Sequence, residues 1–115
     1  MIMKNKLVYS FDDEVVSKFC YDMDNKKIEV YFNGYFDLLK NEYVERPCLW
    51  VIENWSDAKS KLSSETKYDA LENNLGIFSM VLFLENEEKK TNITVNTLDK
   101  RYVDLVFIEP KISFS

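Results

Sequence analysis

Glu29, Glu53 and Asp104 are the side chains whose chemistry would matter most, because each interrupts an apolar, strand-like stretch rich in large aromatics. Paired carboxylates in such a setting run acid-base chemistry without histidine, as in glycoside hydrolysis. The same acids on the solvent side of an alternating strand are simply its hydrated face, and that is the default expectation. Histidine is absent altogether. Its absence removes the commonest general base, the usual metal ligand and the Ser-His and Cys-His nucleophile pairs.

Asp22-x-Asp24 has the opening of a calcium loop, but Lys26 and Lys27 occupy the positions where further oxygen ligands would stand. A hairpin turn is the expected reading. Cys20 and Cys48 cannot build a structural zinc site without histidine partners, and each lies in an apolar segment where a free thiol behaves as a small hydrophobe. One disulfide between them stays open as the alternative. With two glycines in the chain there is no phosphate-binding loop and no nucleophile elbow. No metal and no cofactor are expected, and the chain reads as a non-enzyme.

The acidic clusters point instead to recognition. Asp12, Asp13 and Glu14, then Asp22 and Asp24, then Glu85, Glu87 and Glu88 all fall at expected turns, from which they would line one end of a sheet and present a negative field to a cationic partner. Tyr35 and Trp55, near strand ends, are the aromatics expected at the surface and so in an interface. A net charge of −5 argues against nucleic acid or anionic membrane as the ligand.

The elements that would carry these residues follow from periodicity. The 115 residues, 46% hydrophobic, are of a size for one domain, 1–115. The longest nearly apolar run, Ile77 to Leu84, is far short of the ~20 residues of a membrane span. Residues 7–10 are too short for the apolar part of a signal peptide, so a cytoplasmic location is expected.

Strands are expected at Lys6–Phe11, Val15–Asp22, Lys27–Asp37 with a bend at Gly34, Cys48–Asn54, Ile77–Glu85, Thr91–Thr97 and Tyr102–Ile108, the last stopped by Pro110. Ile77–Glu85 should be central and covered on both faces. Ser63 and Ser64 before Glu65, then Tyr68, Leu71 and Leu75 at helical spacing and Gly76 as a stop, predict one main helix. Ser56 to Lys59 is compatible with a further helical turn. The predicted fold class is α+β, a strongly bent, mostly antiparallel sheet of about six to seven strands packed with one main helix. A small β-barrel or sandwich is the alternative.

The segments Tyr21-Asp-Met-Asp-Asn-Lys-Lys-Ile-Glu-Val-Tyr-Phe32, Cys48-Leu-Trp-Val-Ile52 and Arg101-Tyr-Val-Asp-Leu-Val-Phe107, in this order in a small acidic chain, resemble the cytosolic immunity proteins of bacterial polymorphic-toxin and contact-dependent growth inhibition systems. The resemblance implies a protein that binds a cognate toxin domain, often a nuclease, and occludes its cleft. Acidic side chains would replace nucleic-acid phosphates there, and aromatics would fill the apolar centre. The competing expectation is a small-ligand-binding or regulatory β-rich module, with Phe32, Phe36 and Trp50 lining a pocket. The oligomeric state is left open.

Overall fold

Alternating patterns become strands almost throughout. The computed structural model describes residues 9–87 and 89–115. Their strands are β1 (Tyr9–Ser10), β2 (Glu14–Asp22), β3 (Lys27–Phe32), β4 (Tyr35–Asp37), β5 (Glu42–Val44), β6 (Cys48–Glu53), β7 (Asp57–Leu62), β8 (Asp69–Ala70), β9 (Phe78–Asn86), β10 (Lys90–Thr97), β11 (Tyr102–Ile108) and β12 (Lys111–Phe114). One helical turn, α1 (Leu71–Asn74), separates β8 from β9. Residues 6–8 of the expected first strand, Lys6–Phe11, lie outside the described residues, and Tyr9–Ser10 of it form β1. No helix among the described residues is long and apolar enough to cross a membrane.

Nine strands form one antiparallel sheet in the order β12-β6-β3-β2-β9-β10-β11-β7-β8, and β1, β4 and β5 form a second, small one. The inner face of the large sheet comes from two groups of strands. Ile28, Val30, Phe32, Cys48, Trp50 and Ile52 line β3 and β6, while Ile93, Val95, Val103, Leu105 and Phe107 line β10 and β11. All belong to a single cluster, so the sheet wraps around its own inner face.

The wrap is made where β2 meets β9, a junction of only Glu14 and Val15 against Val81 and Met80. Register shifts on both strands, between Val16 and Lys18 of β2 and at two points of β9, supply the local twist. Phe11, Phe32, Tyr35, Trp50 and Phe114 then close one end of the core as a group of contacting rings.

The α+β expectation with a main helix is therefore overturned: among the described residues the protein is almost entirely β. Over 65–75 the chain makes a turn, a two-residue strand and α1. Only Leu71 in that helical turn is buried, and Tyr68 is exposed, so a longer helix would have had little apolar surface to bury. Asp69, Asn73 and Asn74 are poor helix formers, and short helices depend on packing. The edge of β7 offers a better alternative, pairing Lys59 with Ala70 and Ser60 with Asp69, while the buried Ser60 hydroxyl donates to the carbonyls of Ala70 and Leu71.

Three further readings are corrected. The segment 56–59 enters β7 because six successive residues, Asp57 to Leu62, pair with β11. Pro110 does not end the sheet, since β12 follows it along β6. The strand at 77–85 is covered on one face only, which leaves Ile77 and Phe83 exposed. Gly34 divides the expected long strand into β3 and β4. A Cβ there would lie 2.2 Å from the Tyr43 hydroxyl and 2.8 Å from the Val44 carbonyl, so the position is a close approach of β5.

Candidate interaction surface

The outer face of β2, β9, β10 and β11 carries what the inner face would be expected to hold. Register places Val15 opposite Met80, Met80 opposite Asn96, and Asn96 opposite Tyr102, so these four form one row across four strands. Phe83 begins the neighbouring row, Phe83–Thr94–Asp104–Lys61. At the other side the Leu98 amide donates to the Ile77 carbonyl at 2.9 Å, and strand alternation directs both residues outward beside Asn96 and Met80.

Val15, Ile77, Phe83, Leu98 and Tyr102 are each between 45% and 63% exposed. Their exposed surface is on the order of 500 Å², toward the upper end of the ~300–600 Å² of the largest patch on an ordinary monomer.

Acids flank this patch on one side. Glu85 follows Phe83 on the same face of β9, opposite Asn92, and the turn Asp12–Asp13 leads into β2, where the Glu14 amide donates to the Phe11 carbonyl at 3.0 Å. Asp12, Asp13 and Glu85 are exposed. Glu14 is half-buried and accepts a hydrogen bond from the Tyr43 hydroxyl at 3.1 Å. Burial pushes its carboxyl above the usual range, the Tyr43 bond works against the rise, and neighbouring Asp13 adds to it.

The acids expected to share one end of a sheet are divided. Asp22 and Asp24 lie at the far end of β2, about 26 Å along the strand from Glu14. The Asp22 carboxylate accepts bonds from the side-chain and backbone nitrogens of Asn25, which hold it below the usual range. Glu87 sits in the β9–β10 turn, where its amide donates to the Lys90 carbonyl at 2.7 Å. Glu88 lies outside the described residues. Among the described residues no group of three or more acids and cysteines is placed to hold a metal ion.

Tyr35 and Trp55, expected at the surface, are 5% and 6% exposed. Strand ends here are where the chain folds back over the core. Tyr35 packs edge-on to Phe114 with the Arg46 guanidinium 5.6 Å from its ring centre, and Trp55 packs on Phe107. Of the aromatics that do reach the surface, Tyr43 bonds to Glu14, while Phe83 and Tyr102 sit mid-strand and at a strand start. Their signal in the sequence was alternation opposite the core residues Leu84 and Val103.

The candidate carboxylates have other places. Asp104 accepts from Lys61 Nζ at 2.9 Å, Ser63 Oγ at 2.8 Å and Thr94 Oγ1 at 2.9 Å. Glu29 and Glu53 are diagonal neighbours on the outer face of β3 and β6, and Lys27 and Lys111 stand opposite Glu53. Phe32 and Trp50 are fully buried against each other and Phe11, and Phe36 is half-buried on β4.

A groove of about 450 Å³ adjoins the patch at Tyr102, lined also by Leu62, Ser63, Ser64 and Arg101. Comparison of the chain with protein-family models, with curated proteins and with solved structures finds no match in any of the three, so its own geometry carries the functional reading.

Proposed function

We propose that this protein is a cytoplasmic binding protein of the immunity type, which neutralises a cognate basic toxin domain by covering its cleft with the outer face of β2, β9, β10 and β11. One observation carries the reading: an exposed apolar row with Glu85 on its own face and the exposed acids Asp12 and Asp13 in the turn that leads into Val15. An exposed surface on the order of 500 Å² from these large hydrophobic residues suits the centre of an interface that covers ~800 Å² per partner. The acidic rim selects a basic protein over a second copy laid rim to rim, because like charges in apposition are repelled. Both thiols are free, as a reducing compartment maintains them.

The test mixes the purified chain with the purified product of the neighbouring reading frame. The expected result is a stoichiometric complex and loss of that product's activity. The double variant Asp12→Lys/Asp13→Lys should associate about tenfold more slowly at low salt, with the difference shrinking as ionic strength rises. Absence of a complex at low salt overturns the reading.

A further inference from the structure

Pairing between β2 and β9 stops at Glu14 and Val81, and the two sides of the split that follows differ. Along β2 it is filled: the Phe19 and Phe78 rings lie 4.3 Å apart, and the Tyr21 hydroxyl donates to Glu72 at 3.2 Å. Along β9, residues 82–86 have β10 on one edge and, among the described residues, no strand on the other. Val81 and Phe83 face consecutive residues of β10, so Leu82 is the extra residue of a bulge, where a strand bends.

Register decides which backbone groups this open edge presents. The Glu87 amide donates to the Lys90 carbonyl at 2.7 Å, and hydrogen-bonded pairs alternate with non-bonded ones along an antiparallel ladder. Glu85 with Asn92 and Phe83 with Thr94 are therefore bonded pairs, while Leu84 stands opposite Ile93 in a non-bonded one. The Leu84 amide and carbonyl point away from β10, into the open side. Exposed edges in folded proteins are commonly guarded by lysine or proline, and residues 82–86, Leu-Phe-Leu-Glu-Asn, contain neither.

An outward amide and carbonyl on one strand residue are matched by an extended backbone, which bonds to both. The edge also borders the interaction surface, because Phe83 and Glu85 project from it on the outer face. A second copy of β9 laid antiparallel about Leu84 would set Glu85 against Phe83 twice and bring together two chains of net charge −5. A strand carrying one apolar and one basic residue complements both side chains.

We propose that the 82–86 edge of β9 is a strand-addition site, at which the partner contributes an extended segment with an apolar side chain beside Phe83 and a lysine or arginine beside Glu85. The proposal rests on the binding-protein reading above and deepens it. Amide hydrogen exchange is followed by NMR in the free chain and in its mixture with the purified product of the neighbouring reading frame.

In the free chain the Leu84 amide should exchange quickly and those of Phe83 and Glu85 slowly, and in the complex Leu84 should slow by at least about 100-fold. Leu84→Pro removes an N–H on the open side alone, so it should weaken the complex about tenfold relative to Leu84→Ala, the size of one hydrogen bond. Where Leu84→Pro does not fold, exchange in the parent chain decides. A complex in which Leu84 stays unprotected, or a Leu84 amide already slow in the free chain, would overturn the strand-addition site and leave the binding-protein reading standing. Absence of any complex removes that reading and this site with it, so the two failures are told apart.

Discussion

Replacing Asp104 with alanine removes one acceptor from three donors at once. Lys61 Nζ, at 2.9 Å, belongs to a side chain only 13% exposed, so its charge loses its counterion in a largely dry place. Removing one partner of a fully buried pair costs about 3–5 kcal/mol. Lys61 keeps the Glu65 carbonyl and the Tyr68 ring, 5.5 Å away, which brings its share down to roughly 2 kcal/mol. Ser63 and Thr94 lose one hydrogen bond each, and Ser63 can turn to water, adding about 1 kcal/mol between them. The expected total is about 3 kcal/mol, a large part of the ~6–12 kcal/mol that holds a domain of this size.

Urea unfolding followed by tryptophan fluorescence reads this loss. With a slope of about 1.5 kcal/mol per molar, the midpoint falls by ~2 M. Lys61→Met, alone and combined with Asp104→Ala, closes a cycle whose coupling should be about 1–2 kcal/mol. The pH dependence checks the same bond. Burial acts to raise the Asp104 carboxyl, but the hydrogen bonds from Lys61, Ser63 and Thr94 together outweigh it and hold the group below the usual range. A carboxyl depressed in the folded state stabilises fully above the unfolded value of about 3.9, and that stabilisation is lost as pH falls through the folded value. Asp104→Ala should therefore lose less stability than the parent in that acid window. A cost below about 1 kcal/mol, or additivity of the two substitutions, would refute the account.

Gly34→Ala should cost about 1–3 kcal/mol because the new methyl meets the Val44 carbonyl, which is backbone, whereas Gly76→Ala meets the movable end of Arg101 and should cost less than about 1 kcal/mol; thermal unfolding compares them. Burial first, then the charge of Glu72 and the hydrogen bond to it, push the Tyr21 phenol up to about 12, so ultraviolet titration should show it ionising late and Glu72→Gln should bring it down. Because this value is raised on folding, its contribution is present below pH ~10 and disappears as pH climbs from there toward the folded value. Cys20 faces outward opposite Glu29 and Cys48 inward opposite Phe32, with β3 between them, so an aromatic disulfide reagent should find two thiols after unfolding without reductant. In the native protein Cys20 should react first, since burial raises the Cys48 thiol.

Much of the strand layout was legible because a two-residue period survives in single segments. Ile28, Val30 and Phe32 alternate with polar or half-polar neighbours in the sequence, as do Ile93 and Val95, and the structure buries all five. The free state of the thiols followed from their apolar surroundings, and the turn at 22–27 from its polar residues. Gly34 marked a break, although the cause, a tyrosine ring and a carbonyl from β5, comes from residues distant along the chain.

Elsewhere two structures competed for the same segment, and only pairing partners decided between them. Residues 65–75 carry helical spacing, yet β7 and β11 supply an edge to which 57–62 and 69–70 bind, and an isolated three-turn helix with one buried anchor cannot match that. Which apolar face becomes core is likewise a property of register, because a strand rich in apolar residues on both sides does not state which side is covered. Hence Phe83 and Ile77 emerged exposed while Tyr35 and Trp55 went inside. By itself the sequence determined the acidity, the lack of histidine chemistry and most strand positions, since these depend on residue type and local alternation. The joining of Val15, Met80 and Tyr102 into one surface, and the separation of Asp22 from Asp12, were decided by tertiary structure, because neighbours across a sheet are set by register between distant segments.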